Sequence, residues 1–256
     1  MKLLVLLLFV LPATTGSGQD MTAIEQRLLV TFQRVHYWGS NFENIARVDS
    51  LEKADSLFRK ALANELNTYG ASLNYDFPVL QDSGLVIATS NDGKFRIYSW
   101  DNESGGSMRL IDHVYQYQAA NKIRTSTLEA SSEDDNAGWY IFIRTLITPR
   151  TSYYITFTRS HISGSGRQEK VRAFRIGKDS LVGPIKLFKK GNALEDEIGL
   201  EFMDYRFSKN RDLMLHALVY DSLQRTIKIP QLDDLFGKPT GQYTTYRWNG
   251  TYFEAK

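Results

Sequence analysis

The chain has 256 residues, 42% of them hydrophobic and 12% aromatic, with a formal net charge of +2 and no cysteine. The absence of cysteine excludes disulfides, thiol nucleophiles and thiolate metal ligands, and the near-neutral charge argues against a nucleic-acid partner. The length and apolar content suffice for a large hydrophobic core in one or two domains.

Residues 1–18 have the pattern of a secretory signal peptide. Lys2 supplies a positive start, Leu3–Leu11 is an unbroken apolar run, and small residues follow Pro12. This run is too short to span a bilayer, which requires about 20 residues. A lipid anchor is not expected, because no cysteine stands at the cleavage site. We therefore expect an exported protein, periplasmic or secreted, without a membrane span.

Residues 19–74 are predicted to form a helical segment. In the first helix, apolar residues recur at helical spacing from Asp20 onwards: Met21, Ile24, Leu28, Phe32 and Val35. A second helix is predicted from Asp49, which forms a capping box with Glu52, to a left-handed cap at Gly70. Its apolar stripe consists of Leu51, Ala54, Leu57, Phe58, Ala61, Leu62 and Leu66. Each helix has one apolar face, which predicts that both lie on a sheet.

Residues 75–256 are predicted to form an antiparallel β domain that packs with the helices as one unit. Candidate strands alternate with short turns such as Asn91-Asp92-Gly93, which favour antiparallel neighbours. They are 84–90, 94–101, 107–118, 138–147, 152–160, 169–176, 184–189, 199–207, 212–220, 225–229, 241–248 and 251–255. The strand at 138–147 is apolar on both faces and is expected to be central, between layers. The predicted fold class is α+β, with two N-terminal helices packed on a large, mainly antiparallel β-meander sheet, barrel-like or two-layer.

The stretch TSNDGKFRIYSWDNESGGSM, residues 89–108, is predicted to be a hairpin. Asp92-Gly93 provides the tight turn, and Phe95 and Ile97 point to the face opposite that of residues 94, 96, 98 and 100. Pairing residue 100 with residue 108 would place Arg96 opposite Asp112 as a cross-strand ion pair.

Several segments resemble those of exported, β-rich proteins of Bacteroidetes-type bacteria. They are DGKFRIYSWDNESGGSM from residue 92, YYITFTRS at 153–160, KVRAFRI at 170–176 and the closing GQYTTYRWNGTYFEAK. The resemblance extends over residues 50–256, although FTRSH at 157–161 departs from it. It implies export and a β-rich fold, and it implies no functional residues because no activity is attached to that group.

The sequence contains no catalytic or metal-binding motif. Gly164-Ser165-Gly166 is interpreted as a loop tip, and the four histidines, His36, His113, His161 and His216, lack metal-ligand spacing. The acidic runs at 133–136 and 195–197 do not have the ligand spacing of a calcium loop and are interpreted as solvated loops. We therefore expect no catalytic residue, no metal and no cofactor.

Arg96, Tyr98 and Trp100 are the candidate ligand-binding residues, because an aromatic face beside a cation can stack on a sugar or a peptide. The alternative is that the two helices cover this face and bury the rings. The function predicted is a non-enzymatic binding or interaction module of the cell envelope, with a glycan or protein partner. The alternative is a hydrolase, for example one active on glycans, with no recognisable motif.

We predict that export removes about the first 16 to 20 residues, because the charged start, apolar run and small residues form a leader. N-terminal sequencing of the periplasmic or secreted protein checks this. Recovery of a mature protein that still begins at Met1 would contradict it.

Overall fold

The computed structural model describes residues 17–127, 138–203, 217–233 and 239–256, with residues 17–20 described as backbone only. The helices are α1 (Ser17–Ser40), α2 (Arg47–Thr68) and α3 (Pro78–Asp82), with a 3₁₀ helix at Gly70–Asn74. In this part of the chain, no helix combines the length and apolar character needed to cross a membrane.

Fifteen strands are described. They are β1 (Val86–Thr89), β2 (Phe95–Asp101), β3 (Ile111–Ala119), β4 (Lys122–Ser126), β5 (Trp139–Ile147), β6 (Ser152–His161), β7 (Gly166–Ile176), β8 (Leu181–Val182), β9 (Phe188–Lys190), β10 (Ala193–Glu195), β11 (Glu197–Met203), β12 (Val219–Asp221), β13 (Thr226–Leu232), β14 (Pro239–Trp248) and β15 (Phe253–Ala255).

These strands form three sheets. Sheet 1 has the order β1-β2-β3-β4, sheet 2 the order β11-β7-β6-β5 with β8 beside β7, and sheet 3 the order β10-β9-β15-β14-β13-β12. Among the described strands, the pairing of β15 with β9 is parallel and the others are antiparallel. The α+β class with antiparallel strands is confirmed. The strands are divided among three sheets, none of which closes into a barrel in the described residues.

Three hydrophobic clusters join the layers in sequence. The first packs α1 and α2 on sheet 1, the second packs sheet 1 on sheet 2, and the third packs sheet 2 on sheet 3. Every residue predicted for the apolar stripe of α1 is buried in the first cluster. The prediction that β5 is central is wrong in one respect, because β5 lies between layers but at the end of its sheet.

Strand β2 is buried on both faces. Phe95 packs against Tyr154 and Phe174 of sheet 2, with ring centroids 5.2 and 5.8 Å apart, whereas Tyr98 and Trp100 belong to the cluster beneath the helices. The predicted alternation of β2 is therefore confirmed, as is the turn before it, since Gly93 has φ +68°.

The predicted register of the β2–β3 hairpin is wrong. Trp100 pairs with Asp112, and Arg96 pairs with Gln116. The reason is a longer loop, which a hydrogen bond from Asn102 N to Leu110 O closes at 3.0 Å. Arg96 therefore has no ion pair with Asp112.

The predicted ends of the second helix are also wrong. Helix α2 begins at Arg47, two residues before Asp49, and its N-cap residue, Ala46, provides no side-chain capping hydrogen bond. Tyr69 ends the helix in an extended conformation, and Gly70 begins the 3₁₀ helix instead of forming a left-handed cap. Leu57, predicted within the apolar stripe, is exposed.

Four short elements were not predicted from the sequence, and several predictions lie outside the described residues. The short elements α3, β4, β8 and β10 were not predicted, since their few residues show little periodicity. The predictions outside the described residues concern residues 1–16, the acidic run at 133–136, His216, and parts of the strands predicted at 199–207 and 212–220.

We predict that Phe95→Ala destabilises the protein by about 3–5 kcal/mol, because it removes a fully buried ring between sheets 1 and 2. Lys94→Ala, at the exposed neighbouring position, should change stability by less than about 0.5 kcal/mol. Urea unfolding of both variants measures the difference. Equal midpoints would contradict the assignment of the two faces.

Candidate interaction surface

The structure places Arg96, Tyr98 and Trp100 between sheet 1 and the helical layer. The Trp100 ring packs edge-on against Phe58 at 5.0 Å, and both Tyr98 and Trp100 are 0% exposed. Tyr98 donates a hydrogen bond to Gln116 Oε1, at 2.9 Å. Helices therefore cover this face, as the alternative interpretation expected.

The same burial explains the interactions of Arg96. Its Nε donates to Thr89 Oγ1 at 2.8 Å, and its Nη1 donates to the carbonyl oxygen of Ser72, also at 2.8 Å. A buried guanidinium needs such acceptors, because an unpaired charge in the interior is strongly unfavourable. Arg96 thus connects β2 to β1 and to the 3₁₀ helix.

A pair of carboxyl groups lies next to Trp100. Trp100 Nε1 donates to Asp55 Oδ1 at 2.8 Å, and Arg59 Nη2 donates to Asp55 Oδ2 at 2.7 Å and also to Asp112. Burial raises the pKa of Asp55 to about 7, and the hydrogen bond and negative charge of Asp112 act in the same direction. The group joins α2 to β2 and β3. The one indication of this group in the sequence was the i, i+4 spacing of Asp55 and Arg59.

Histidines occupy structural positions in the described residues. His113 is partly buried, with Nε2 2.8 Å from the carbonyl oxygen of Gly138 and its ring packed edge-on against Tyr140. Burial lowers the pKa of His113 to about 4, which leaves it neutral at pH 7. His161 packs against Trp139. In the described ranges, no group of three or more His, Asp or Glu residues is placed to hold a metal ion.

The acidic run at 195–197 is not simply a solvated loop. Glu197 begins β11 and forms ion pairs with Lys170, at 2.9 Å, and Arg172, at 2.7 Å. These two cations hold the pKa of Glu197 below its usual range despite partial burial. Gly164-Ser165-Gly166 connects β6 to β7, as its interpretation as a loop tip predicted.

Four large apolar side chains are exposed in the connection between α1 and α2 and in the helix turns beside it, and we call these four residues the α1–α2 tip. It consists of Tyr37, Phe42, Ile45 and Val48, and Phe42 and Ile45 are 76% and 104% exposed. Successive backbone turns shape the connection, with hydrogen bonds from Asn44 N to Asn41 O and from Arg47 N to Asn44 O. An exposed apolar cluster of this kind is typical of an interaction site.

The β2–β3 loop contacts the residues on both sides of the α1–α2 connection. Arg47 Nη2 donates to the carbonyl oxygens of Gly39 and Glu103, at 3.1 and 3.2 Å, and its guanidinium lies 4.5 Å from the Phe42 ring centroid. Gly39 is required here, since a Cβ at that position would lie 2.5 Å from Glu103 Cβ. On the other side of the loop, His36 Nδ1 lies 3.2 Å from Glu103 Oε1.

Sequence reasoning missed the tip. Its residues fall outside the apolar stripes of both helices, and Phe42 and Ile45 stand in the seven-residue stretch between Ser40 and Val48. An apolar residue without a place in any periodic pattern was the available signal. It did not distinguish an exposed residue from one buried by tertiary contacts.

No family model, curated protein or solved structure matches the chain. The resemblance to exported, β-rich bacterial proteins therefore stays a prediction.

We predict that the carboxyl pair makes stability fall as pH rises from about 4 to about 7. Over this range the unfolded chain, with an aspartate pKa of 3.8, has lost a proton that folded Asp55 retains. Asp55→Asn removes this titration and keeps an oxygen for Trp100 Nε1. The unfolding free energy of the wild type minus that of the variant should therefore decrease with pH.

Urea unfolding at several pH values from 4 to 8 measures this difference. The comparison with the variant is necessary because His113 acts oppositely: its lowered pKa makes protonation below about pH 6.5 destabilising. A difference that is constant with pH would contradict the raised pKa of Asp55.

Proposed function

We propose that this protein is an exported interaction module of the cell envelope that binds a protein partner through the α1–α2 tip. The exposure of Phe42 and Ile45, at 76% and 104%, is the observation that carries the proposal. Soluble proteins seldom leave clustered large apolar side chains in water, since burying each one at an interface gains about 1.5–3 kcal/mol. The proposal includes export because residues 1–18 have the pattern of a secretory signal peptide.

A protein partner is favoured over a glycan by the chemistry of the tip. Ile45 and Val48 are aliphatic and offer no hydrogen bonds to sugar hydroxyls. Charged residues of both signs, Arg34, Glu43 and Asp49, are exposed in the same stretch of the chain. Aromatic residues at the centre of a patch, with a polar rim, are typical of protein–protein interfaces.

The hydrolase alternative would have to use the carboxyl pair of Asp55 and Asp112. The side chains of Asp55 and Asp112 are hydrogen-bonded to each other and both contact Arg59, whereas glycosidases keep their two carboxyl groups roughly 5 Å or more apart. Trp100 Nε1 further occupies one oxygen of Asp55. Protein donors thus take the positions that a water or substrate would need, and we do not propose a hydrolase.

We predict that a photoactivatable benzophenone side chain at position 42 crosslinks a discrete protein in exporting cells. Leu223 provides the matched control position, since it is 95% exposed in the turn between β12 and β13 and does not belong to the tip. A benzophenone at position 223 should not form the same adduct. The adducts are measured by gel mobility and mass spectrometry.

A second variant links the adduct to the apolar surface. Ile45→Ser with Val48→Ser should abolish the position-42 adduct and leave the melting temperature within a few degrees of the wild type, because both side chains are exposed. Identical adducts from positions 42 and 223, or no adduct at position 42, would contradict the proposal.

A further inference from the structure

We propose that this protein binds an acidic oligosaccharide between sheets 2 and 3, at a second site that we call the sheet 2–3 margin. The site goes beyond the proposed function, because it lies in other layers of the molecule than the α1–α2 tip and does not depend on it. Four partly exposed aromatic side chains and two arginines make up the margin: Phe142 and Arg144 of β5, Tyr153 of β6, Tyr220 of β12, Arg225 of the β12–β13 turn and Trp248 of β14.

Strand pairing directs the aromatic side chains of the margin into the space between the two sheets. Strand β5 is the end strand of sheet 2, and β12 is an end strand of sheet 3. Phe142 pairs with Phe157, and Tyr220 pairs with Ile227, and both of these partners are buried in the cluster between the sheets. Paired residues share a face of a sheet, so Phe142 and Tyr220 point into the same space. Because their strands are at the ends of the sheets, both side chains are only partly buried.

The aromatic rings of the two sheets meet at the margin. Phe142 stacks on Phe157 with ring centroids 4.4 Å apart, and Phe157 lies 6.1 Å from Tyr220. Tyr153 and Trp248 meet across the sheets at 5.8 Å. In the described part of the chain, the hydroxyls of Tyr153 and Tyr220 and Nε1 of Trp248 have no hydrogen-bond partner. The margin therefore combines ring faces for stacking with polar groups that can bond to a ligand.

Two guanidinium groups lie beside these rings. Arg144 Cζ is 4.8 Å from the Phe142 ring centroid, and the backbone carbonyl of Arg225 accepts a hydrogen bond from Trp248 N at 3.0 Å. Burial raises the pKa of Tyr220, and the positive charges of Arg225 and Arg144 act in the opposite direction, so both charges are near one hydroxyl. Among the described residues, no acidic side chain forms an ion pair with Arg144 or Arg225. A guanidinium binds a carboxylate through two parallel N–H groups, which makes these arginines suitable for an acidic ligand.

The neighbouring acidic side chain does not neutralise the two arginines. Asp221 also affects Tyr220, but its Oδ1 accepts hydrogen bonds from the backbone N–H groups of Leu223 and Gln224, both at 2.9 Å. This carboxylate therefore stabilises the β12–β13 turn. The formal net charge of the chain is only +2, so attraction of an anion has to be local.

A saccharide fits the margin better than a peptide because of its shape and chemistry. A sugar ring has apolar faces and polar edges, and the margin offers flat rings with hydroxyl and N–H groups at their edges. The two unpaired arginines then select a sugar that has carboxylates. These features together assign the ligand class as an oligosaccharide of uronic acids.

Isothermal titration calorimetry of the full protein with a hexamer of galacturonic acid tests the site. The fully methyl-esterified hexamer has the same backbone without its charges, and it should bind at least about tenfold more weakly, the effect of losing a charge-assisted hydrogen bond. A hexamer of glutamate has the same number of carboxylates without sugar rings, and it should also bind more weakly.

Three variants connect binding to the margin. Arg144→Gln with Arg225→Gln should weaken binding of the acidic hexamer about tenfold or more and keep the melting temperature within a few degrees, since no ion pair is lost. Trp248→Leu, which removes the flat ring, should weaken it about two- to tenfold. Arg247→Gln is the matched control, because Arg247 is exposed on the opposite face of β14, where it pairs with Glu254. It removes the same charge and should bind like the wild type.

Four results would overturn the site. They are absence of binding of the acidic hexamer, equal binding of the methyl ester, equal binding of the glutamate hexamer, and a loss in Arg247→Gln as large as in the double arginine variant. The crosslinking experiment at position 42 is independent of all four, so the margin and the α1–α2 tip can each fail separately.

Discussion

Burial of strand β2 on both faces is the constraint on which the rest of the structure depends. Phe95 and Ile97 face sheet 2, and Tyr98 and Trp100 face the helices, so no side of this strand meets water. A buried polar group without a partner costs several kcal/mol, and each polar group on β2 therefore needs an acceptor or donor from a neighbouring layer. Trp100 Nε1 obtains one from Asp55 of α2. This requirement orients α2 on the sheet and brings Asp55 next to Asp112.

Two neighbouring residues near the start of β3, Asp112 and His113, face opposite layers and have opposite electrostatic effects. Asp112 faces the helical layer, where its charge helps to raise the pKa of Asp55, whereas His113 faces sheet 2, where burial lowers its pKa. The neutral forms of Asp55 and His113 are both favoured, because the interior disfavours charge. Their effects on stability oppose each other between about pH 4 and pH 6.5, so the protein's overall pH dependence is a balance of the two.

The α1–α2 tip contrasts with this interior. The helices are anchored over sheet 1, and their connection extends past it with Phe42 and Ile45 in solvent. The same β2–β3 loop that ends the buried strand places Glu103 beneath the connection, in contact with Gly39 and Arg47. The loop motif that stands out in the sequence therefore has a structural role as the support of the exposed surface.

The sequence by itself determined which side chains of α1 are buried and which side chains of β2 share a face, because those patterns depend on the local helical period and on the alternation of a strand. Tertiary structure decided the register of β2 with β3, the division into three sheets and the ends of α2. Each depends on contacts between residues far apart in sequence, such as that of Arg59 with Asp112. It also decided the candidate surface. A sequence shows that Phe42 and Ile45 are apolar, but only the packing of the helices on sheet 1, and of Glu103 against Gly39, leaves those two side chains exposed in the part of the chain that the structure describes.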